Sequence, residues 1–292
     1  MISGDGSTTV VIATLDDGDA LSSTVASILD SAFIPQEIIV IDDGSRTPAS
    51  VVLDGMPAAT RIRVVHSRRQ GVARARNLGA MLSNGDRLVF LDGHCLVESD
   101  WLSAIDEALS AYSNSVFAPA IRDMDDEVFG CGARLISPEL RIRWLTSGLT
   151  GTAHVPIAPG GCLALTKATF ERIGPFASYR QLGLEDVEFS LRAWRLGVDV
   201  LSVPEARLAH CFRDQPPYPL DPSSRAFNLA CLALVHFPHA RRAMCLRTIV
   251  GSPRASEVLI DAFCSGWEEE RGALDARSKR SIEEFFERFG EW

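Results

Sequence analysis

Short apolar runs alternate with segments of helical periodicity through the first third of the chain. The apolar runs are rich in β-branched residues, which is typical of strands that are buried on both faces. They lie at Thr9–Thr14, Glu37–Ile41, Arg61–His66 and Arg87–Leu91. Between them, Ala20–Leu29 and Gly71–Leu82 have the composition and spacing of helices. This alternation predicts an α/β fold with a mostly parallel, doubly wound sheet.

The middle of the chain is less regular. Five further strands are predicted at Val116–Ile121, Val128–Ile136, Gly160–Thr166, Val198–Val203 and Arg207–Phe212. Leu184–Leu196 has the periodicity of a helix. The Gly/Thr/Pro-rich segment Ser147–Pro159 and the proline-rich segment Asp214–Ser224 are predicted as loops, because proline and glycine interrupt both helices and strands. We expect both loops to be mobile and able to close over a ligand.

The C-terminal part of the chain has helical periodicity throughout. We predict helices at Arg225–Phe237, Ala240–Val250 and Ala255–Phe289. The chain is therefore expected to divide into an α/β domain over residues 1–224 and a helical extension over residues 225–292 that packs on it. A homodimer contact is the alternative use of the extension's large aromatic side chains, which are Phe263, Trp267, Phe285, Phe286, Phe289 and Trp292.

Charge and composition exclude several classes of function. The chain has 292 residues, 29 of them basic and 38 acidic, and a net charge of −9, which argues against binding to a nucleic-acid backbone. It has neither a basic signal-peptide start nor an apolar run of the roughly 20 residues that span a membrane. Its seven cysteines include no CxxC pair, so we expect reduced thiols and a cytoplasmic location.

Polar residues follow two of the predicted strands at their carboxyl ends. In a doubly wound sheet this edge is where ligands bind. Asp42 and Asp43 follow one strand, and Asp92 and His94 follow another. Residues two apart in an extended segment point the same way, so Asp92 and His94 could share one cation, with His210 as third ligand. The alternatives are a solvated polar turn for the pair and a structural role for His210.

Two further groups of charged residues are candidates. Arg69, Arg74, Arg76 and Arg213 could bind a diphosphate, although the arginines of the Gly71–Leu82 helix could equally form a solvated face. Glu185, Asp186 and Glu188 could supply a general base, or could simply stabilise a helix N-terminus. The glycines of Gly160–Gly161 could allow close backbone approach to a ligand or form an ordinary turn.

Taken in order, these motifs resemble the family 2 glycosyltransferases of the GT-A fold, and most of all the catalytic domain of polypeptide N-acetylgalactosaminyltransferases. The resemblance covers roughly residues 8–236. It is carried by DDGS at 42–45, LDGHC at 91–95, GLEDVEFSLRAWRLG at 183–197 and AHCFRDQPPYP at 209–219. It implies a metal-dependent transfer of a hexose or N-acetylhexosamine from a UDP-sugar donor. Asp92, His94 and His210 would bind the ion, expected to be Mn²⁺ with Mg²⁺ as the alternative.

The resemblance also implies roles for the residues around the ion. Ala13, Thr14 and Asp16 match the stretch that contacts the nucleoside, and Asp42 or Asp43 would accept a hydrogen bond from the uracil. The positions matched in the donor pocket are Arg69 and Arg76 for the nucleotide, Arg213 and Tyr218 for the diphosphate, Asp92 for the metal-bound donor, and Gly160 and Gly161 under the sugar.

Departures from the family pattern bear on the mechanism. Asp186 stands where N-acetylgalactosaminyltransferases have Asn, whereas many inverting family 2 enzymes have a Glu-Asp pair whose Asp is the base. We therefore expect inversion with Asp186 as base. In a retaining mechanism Glu185 would instead help hold the sugar. Leu182 replaces the family's Trp, and without a lectin domain or anchor we expect a bacterial cytoplasmic enzyme.

The sequence leaves more than one possibility for the acceptor and for the class of reaction. The acceptor could be a peptide, a glycan or a small aglycone of secondary metabolism. The same Asp and His ligands on an α/β sheet would also suit a sugar-nucleotide hydrolase or a nucleotidyltransferase, which react at phosphorus. A relative without catalysis is the third hypothesis, but it would have no need to keep three metal ligands.

Overall fold

The computed structural model describes residues 6–57, 61–146, 150–213, 215–290 and 292. Its strands are β1 (Thr8–Thr14), β2 (Glu37–Asp42), β3 (Ile62–His66), β4 (Arg87–Asp92), β5 (Cys95–Val97), β6 (Ser115–Asp123), β7 (Gly130–Cys131), β8 (Ala133–Leu135), β9 (Ile142–Trp144), β10 (Cys162–Thr166) and β11 (Asp199–His210). Its helices are α1 (Asp19–Leu29), α2 (Ala49–Val52), α3 (Val72–Leu82), α4 (Trp101–Ala111), α5 (Lys167–Ile173), α6 (Glu185–Arg195), α7 (Ser224–His236), α8 (His239–Ile249), α9 (Ala255–Phe263), α10 (Trp267–Arg277) and α11 (Ile282–Phe289).

One large sheet organises these elements, with strand order β3-β2-β1-β4-β10-β6-β11-β5 and β7 beside β6. The pairs β1–β2, β1–β4, β2–β3 and β6–β11 are parallel. β10, β5 and β7 pair antiparallel with their neighbours and so run against the other strands. The α/β fold with a mostly parallel sheet is thus confirmed, with three strands reversed among the described residues.

Both faces of the sheet are covered, as the continuous apolar runs predict. Val10 and Ile12 of β1 pack in a core with α1 and α4, while Val11, between them, packs with α3 on the opposite face. α3 approaches closely because Gly79 has no side chain, since a Cβ there would lie 2.2 Å from Val11 Cγ1. Neighbouring residues of one strand therefore serve opposite cores.

Several predicted elements are divided differently in the structure. The run Val128–Ile136 forms two short strands, interrupted at Gly132, whose φ is +80°. The two strands predicted over 198–203 and 207–212 are one strand, β11, with an irregularity between Val203 and Arg207. The single helix predicted over 255–289 is three, and Gly266, with φ of +82°, precedes the second. Helix α4 was not predicted.

The predicted loops are described only in part. Residues 147–149 of the first loop and Asp214 of the second lie outside the described residues. Residues 150–159 contain only isolated bridges, such as His154 with Leu201. None of the described helices is long and apolar enough to cross a membrane.

The C-terminal helices share a core with α6. Leu191 and Trp194 of α6 pack with residues of α7, α8, α9 and α11. Phe285 lies 5.8 Å from Trp194 between ring centroids and is buried, whereas Phe263 is half exposed. The division at residues 224 and 225 and the homodimer contact remain predictions.

Candidate metal centre and active-site cleft

A cavity of about 810 Å³ opens at the edge of the sheet where β1, β2, β4 and β11 end. Each strand contributes residues at or just beyond its carboxyl end, which is where an α/β sheet places its ligand site. These residues are Ala13 and Thr14 at the end of β1, Asp43 after β2, Asp92 at the end of β4, and His210 at the end of β11. The polar strand ends of the sequence therefore do meet at one edge.

The predicted metal ligands lie together in this cavity. Asp92, His94 and His210 offer ligand atoms that all lie within 4.8 Å of one another. Strand pairing explains how residues 118 positions apart meet, because antiparallel β5 and β11 place His210 opposite Cys95, directly after His94. His210 Nε2 lies 3.2 Å from Asp92 Oδ2, and the two imidazole centroids are 4.6 Å apart.

The chemistry of this cluster fits a divalent cation. Burial alone would raise the pKa of Asp92, but the Arg76 charge and the hydrogen bond with His210 outweigh burial and hold it well below its usual range. The carboxylate is therefore ionised at neutral pH, as a ligand must be. His210 Nδ1 is buried and has no hydrogen-bond partner among the described residues. One carboxylate oxygen and two imidazole nitrogens are a common ligand set for transition metals.

Asp17, which the sequence analysis missed, lies beside this cluster. Its Oδ1 lies 3.1 Å from His94 Nδ1 and 2.7 Å from Arg213 Nη1. Burial lowers the pKa of His94, but its hydrogen bond to Asp17 and the nearby Asp92 charge outweigh that effect and raise it. The neighbouring Asp16 does not line the cavity; it accepts hydrogen bonds from Arg46. Asp17, and not Asp16, is therefore the acidic residue that this turn presents to the cavity.

A buried arginine connects the metal cluster to the carboxylates of α6. Arg76 donates from Nη2 to Asp92 Oδ1 at 2.8 Å and to the Gly160 carbonyl at 2.7 Å. Its Nη1 donates to Glu185 Oε1 at 3.2 Å, and its side chain is only 2% exposed. Arg76 lines the cavity, but protein acceptors occupy both of its terminal nitrogens. It is consequently poorly placed to bind a diphosphate directly.

Glu185 and Asp186 open α6 at the cavity wall. Asp186 Oδ2 accepts from the Gly160 amide at 2.8 Å, and its Oδ1 accepts from the Val187 amide at 2.8 Å. Glu185 is buried between Arg76 and the Gly183 amide. Burial and the adjacent Asp186 charge raise the pKa of Glu185 despite Arg76. Asp186 is the more accessible of the two carboxylates. Glu188 faces away from the cavity, toward Arg192 and His236.

The two aspartates after β2 differ in position. Asp42 accepts from the Ser45 and Ala49 amides and contacts His66, and it does not line the cavity. Burial would raise its pKa, but these hydrogen bonds lower it. Asp43 lines the cavity and accepts from the Gln70 and Gly71 amides. Of the two aspartates, only Asp43 lines the cavity, and its contact with a nucleobase stays a prediction.

The remaining cations of the predicted donor pocket lie near one aromatic side chain. The Arg69 guanidinium is 5.2 Å from the Tyr218 ring centroid, and it donates to the Pro219 carbonyl. Arg213, Arg69 and Tyr218 all line the cavity. Burial, together with the Asp17 and Asp92 charges, raises the pKa of Tyr218 to about 12. The Tyr218 hydroxyl is therefore a hydrogen-bond donor at neutral pH.

Gly160 and Gly161 form the floor of the cavity between β4 and β11. A Cβ at Gly161 would lie 2.9 Å from His210 Cδ2, and one at Gly160 would lie 3.1 Å from Arg76 Nη1. The absence of side chains here lets the buried His210 and Arg76 reach the cavity floor. The pair forms a turn before β10, and its close approach to a ligand stays a prediction.

Comparison with solved structures identifies the class of fold. A crystal structure of GalNAc-T7 with UDP, GalNAc and Mn²⁺ aligns with a TM-score of 0.74 at 20% identity, covering 97% of this chain and 56% of that one. The S. aureus TarS 1-349 complex with UDP-GlcNAc aligns with a TM-score of 0.58 at 13% identity, covering 91% of this chain and 74% of that one. The fold is thus that of the GT-A glycosyltransferases.

Sequence comparison identifies the family. The sequence model described as glycosyl transferase family 2 matches residues 9–174, which is more than half of the chain, so the chain belongs to that family. Polypeptide N-acetylgalactosaminyltransferase 12 of Mus musculus is 30% identical over 238 residues, covering 72% of this chain and 41% of that protein. The chain therefore spans about two fifths of the length of this curated relative.

Proposed function

We propose that this chain is a metal-dependent glycosyltransferase that moves a hexose or N-acetylhexosamine from a UDP-sugar to an acceptor. The observation that carries the proposal is the convergence of Asp92, His94 and His210 within 4.8 Å in the same cavity as Asp186. A cation site beside an accessible carboxylate provides what the transfer needs: neutralisation of a diphosphate leaving group and a base for the acceptor.

UDP is proposed as the nucleotide carrier for two reasons, the ligands named for two similar structures and the charges of the cavity. Two structures of the same fold carry UDP or UDP-GlcNAc. Arg69 and Arg213 border the cavity from two different segments of the chain, and guanidinium groups suit diphosphate oxygens. Asp43 also lines the cavity, and its carboxylate is proposed to accept a hydrogen bond from the nucleobase.

Asp92, His94 and His210 would hold the metal, which we propose to be Mn²⁺. When bound, the metal would act as a Lewis acid toward the diphosphate and favour departure of the nucleotide. The ionised Asp92 and the approach of His210 Nε2 to within 3.2 Å of its Oδ2 support a resident cation. Arg76 would hold one oxygen of Asp92 and leave the other toward the cation.

Asp186 is proposed as the base of an inverting displacement. Each of its oxygens accepts one backbone amide bond, which fixes the carboxylate while leaving each oxygen a lone pair for an acceptor proton. Glu185 is paired with Arg76 and buried, so it serves better as a support than as a base. In a retaining transfer Glu185 would instead help position the sugar through Arg76 and Gly160.

The test is a screen of nucleotide-sugars by thermal shift with and without Mn²⁺, followed by product analysis. A UDP-sugar that raises the melting temperature only with Mn²⁺, and that releases UDP, supports the proposal. Release of UMP would identify reaction at phosphorus, by a hydrolase or nucleotidyltransferase. Unchanged turnover of Asp92→Ala, or full activity with excess chelator, would refute the metal assignment.

A further inference from the structure

Asp17 is not among the ligands of the proposed metal site, yet it contacts one of them directly. Its Oδ1 lies 3.1 Å from Nδ1 of His94. An imidazole that donates from one nitrogen presents a lone pair on the other, and a carboxylate partner fixes both the tautomer and the ring plane. Donation from His94 Nδ1 to Asp17 therefore leaves Nε2 of His94 as the metal-binding atom.

The Asp17 carboxylate is itself held rigidly. Thr14, at the end of β1, donates to Oδ2 at 2.8 Å, and Arg213 donates to Oδ1 at 2.7 Å. The Asp17 side chain is only 5% exposed, and its backbone carbonyl accepts from Ala20 in the first turn of α1. A carboxylate held by two donors besides His94 is a suitable orienting group for the neighbouring ring.

The turn that carries His94 is shaped to meet this carboxylate. A Cβ at Gly93 would lie 2.7 Å from Asp17 Oδ2, which is closer than side chains normally approach. Gly93 therefore allows the turn after β4 to lie against Asp17. The approach of two separate segments, after β1 and after β4, brings the donor and the acceptor of the bond together.

We propose that Asp17 is a positioning residue, which orients His94 for the divalent cation and raises the affinity of the site for it. The inference rests on the proposed metal-dependent function and deepens it. Loss of such an outer carboxylate typically weakens metal binding by about 10- to 100-fold. In this role Asp17 acts through His94 and does not itself contact the cation.

The experiment is a titration of the whole chain with Mn²⁺ by calorimetry and by electron paramagnetic resonance, with and without UDP. Asp17→Asn keeps the shape of the side chain and removes its charge, so we expect Mn²⁺ affinity to fall about 10- to 100-fold. Asp16→Asn is the matched control, since Asp16 contacts Arg46 outside the cavity, and its Mn²⁺ affinity should stay within twofold of the wild type. Asp92→Ala should abolish binding.

A second measurement separates orientation from general damage. Nitrogen-15 spectra of the histidine side chains report which His94 nitrogen carries the proton, and Asp17→Asn should shift that equilibrium in the metal-free protein. Should Asp17→Asn fail to fold, Thr14→Val removes only the hydrogen bond at Oδ2 and should weaken Mn²⁺ binding a few-fold.

The outcomes are distinguishable. Wild-type affinity and an unchanged His94 tautomer in Asp17→Asn, together with loss of binding in Asp92→Ala, would overturn the role of Asp17 alone. Absence of Mn²⁺ binding by the wild type, with or without UDP, would overturn the proposed metal-dependent function along with it. Weakened binding in Asp17→Asn but not in Asp16→Asn would support the proposal.

Discussion

At the scale of single residues, one substitution of Asp186 can remove the charge of its side chain while keeping the shape of that side chain. Substitution of Asp186 by Asn keeps an oxygen that can accept from the Gly160 amide or the Val187 amide, so the cavity should keep its form. The base is lost, and turnover should fall about 10²- to 10⁴-fold. Initial rates of UDP release, compared with the donor affinity from calorimetry, provide the measurement.

The donor affinity of Asp186→Asn is the internal control for that experiment, and it should stay within a few-fold of the wild type. Turnover that persists at the wild-type level would return the role of base to another group, or would indicate a retaining transfer. The anomeric configuration of the product, read from proton coupling constants, distinguishes those two outcomes.

Substitution of Arg76 tests the buried ion pairs that this residue makes beneath the site. It is buried between Asp92 and Glu185, so Arg76→Gln leaves two carboxylates without their cation. Removing one partner from a buried ion pair costs about 3–5 kcal/mol. We expect a loss of that size in the unfolding free energy, measured by urea denaturation.

Arg74 supplies the control for Arg76, because it lies on the same helix and is exposed. Arg74→Gln should change the unfolding free energy by less than about 0.5 kcal/mol. Similar losses in the two variants would contradict the argument from burial and would indicate a general effect on α3.

The residues that the sequence predicted well are those whose partners follow from strand ends. Asp92, His94 and His210 converge because β4 and β11 end, and antiparallel β5 begins, at one edge of the sheet, and motif spacing carries part of that information. The sequence analysis named Asp16 and did not name Asp17, whereas Asp17 lines the cavity and Asp16 does not. The backbone at Asp16 has φ of +57°. Such a left-handed residue redirects the chain, and no apolar periodicity records it. The buried ion pairs of Arg76 join residues that are distant in sequence, so a local pattern does not predict them.

At the scale of elements, helix α7 holds the segment that leads into α6. Asn228 of α7 is fully buried. Its Oδ1 accepts from the Arg180 amide at 2.8 Å, and its Nδ2 donates to the Arg180 and Gly183 carbonyls at 3.0 and 2.9 Å. Gln181 and Leu184 of this segment have positive φ values, so its conformation depends on such support.

Asn228→Ala should therefore loosen the approach to Glu185. Three partly buried backbone groups lose their partner, and leaving a buried polar group unpaired costs about 1–3 kcal/mol. We expect the unfolding free energy to fall by at least that amount. Hydrogen exchange at the Arg180 amide should be faster in the variant than in the wild type, and this increase should exceed any increase at the amides of β4. Wild-type exchange at Arg180 in this variant would contradict the assigned support.

The prediction of element boundaries failed where an element ends because of its backbone conformation and not because of a change in hydrophobicity. The apolar pattern continues through Gly132 and Gly266, yet both residues have positive φ and interrupt the strand and helix predicted across them. The irregularity between Val203 and Arg207 works in the opposite sense, because one strand continues through a stretch whose alternation is broken. Periodicity detects burial, and it is insensitive to these local changes of direction.

At the scale of the whole molecule, a buried charged group joins the α/β sheet region to the C-terminal helices. Glu188 of α6 accepts from Arg192 of the same helix and contacts His236 of α7 at 3.1 Å. Burial would raise the pKa of Glu188, but Arg192 and His236 outweigh it and lower it to about 2. Burial lowers the pKa of His236 despite Glu188.

Both shifts make the folded state sensitive to acid. A carboxylate with a lowered folded pKa contributes stability above its unfolded value of 4.5, and that contribution is lost as pH falls from 4.5 toward 2. A drop from 4.5 to about 2 corresponds to about 3 kcal/mol. His236 must take up a proton on unfolding below its usual value of 6.5, so its contribution also falls as pH is lowered.

Urea denaturation of the wild type between pH 8 and pH 3 should therefore show a decline that begins near pH 6.5 and steepens below pH 4.5. Glu188→Gln should be less stable at neutral pH and should flatten the lower part of the curve, because the group that exchanges the proton is gone. Glu268→Gln, at an exposed position on α10, should reproduce the wild-type curve. Equal slopes below pH 4.5 in the wild type and Glu188→Gln would show that other carboxylates carry the acid sensitivity, and that this contact between α6 and α7 does not.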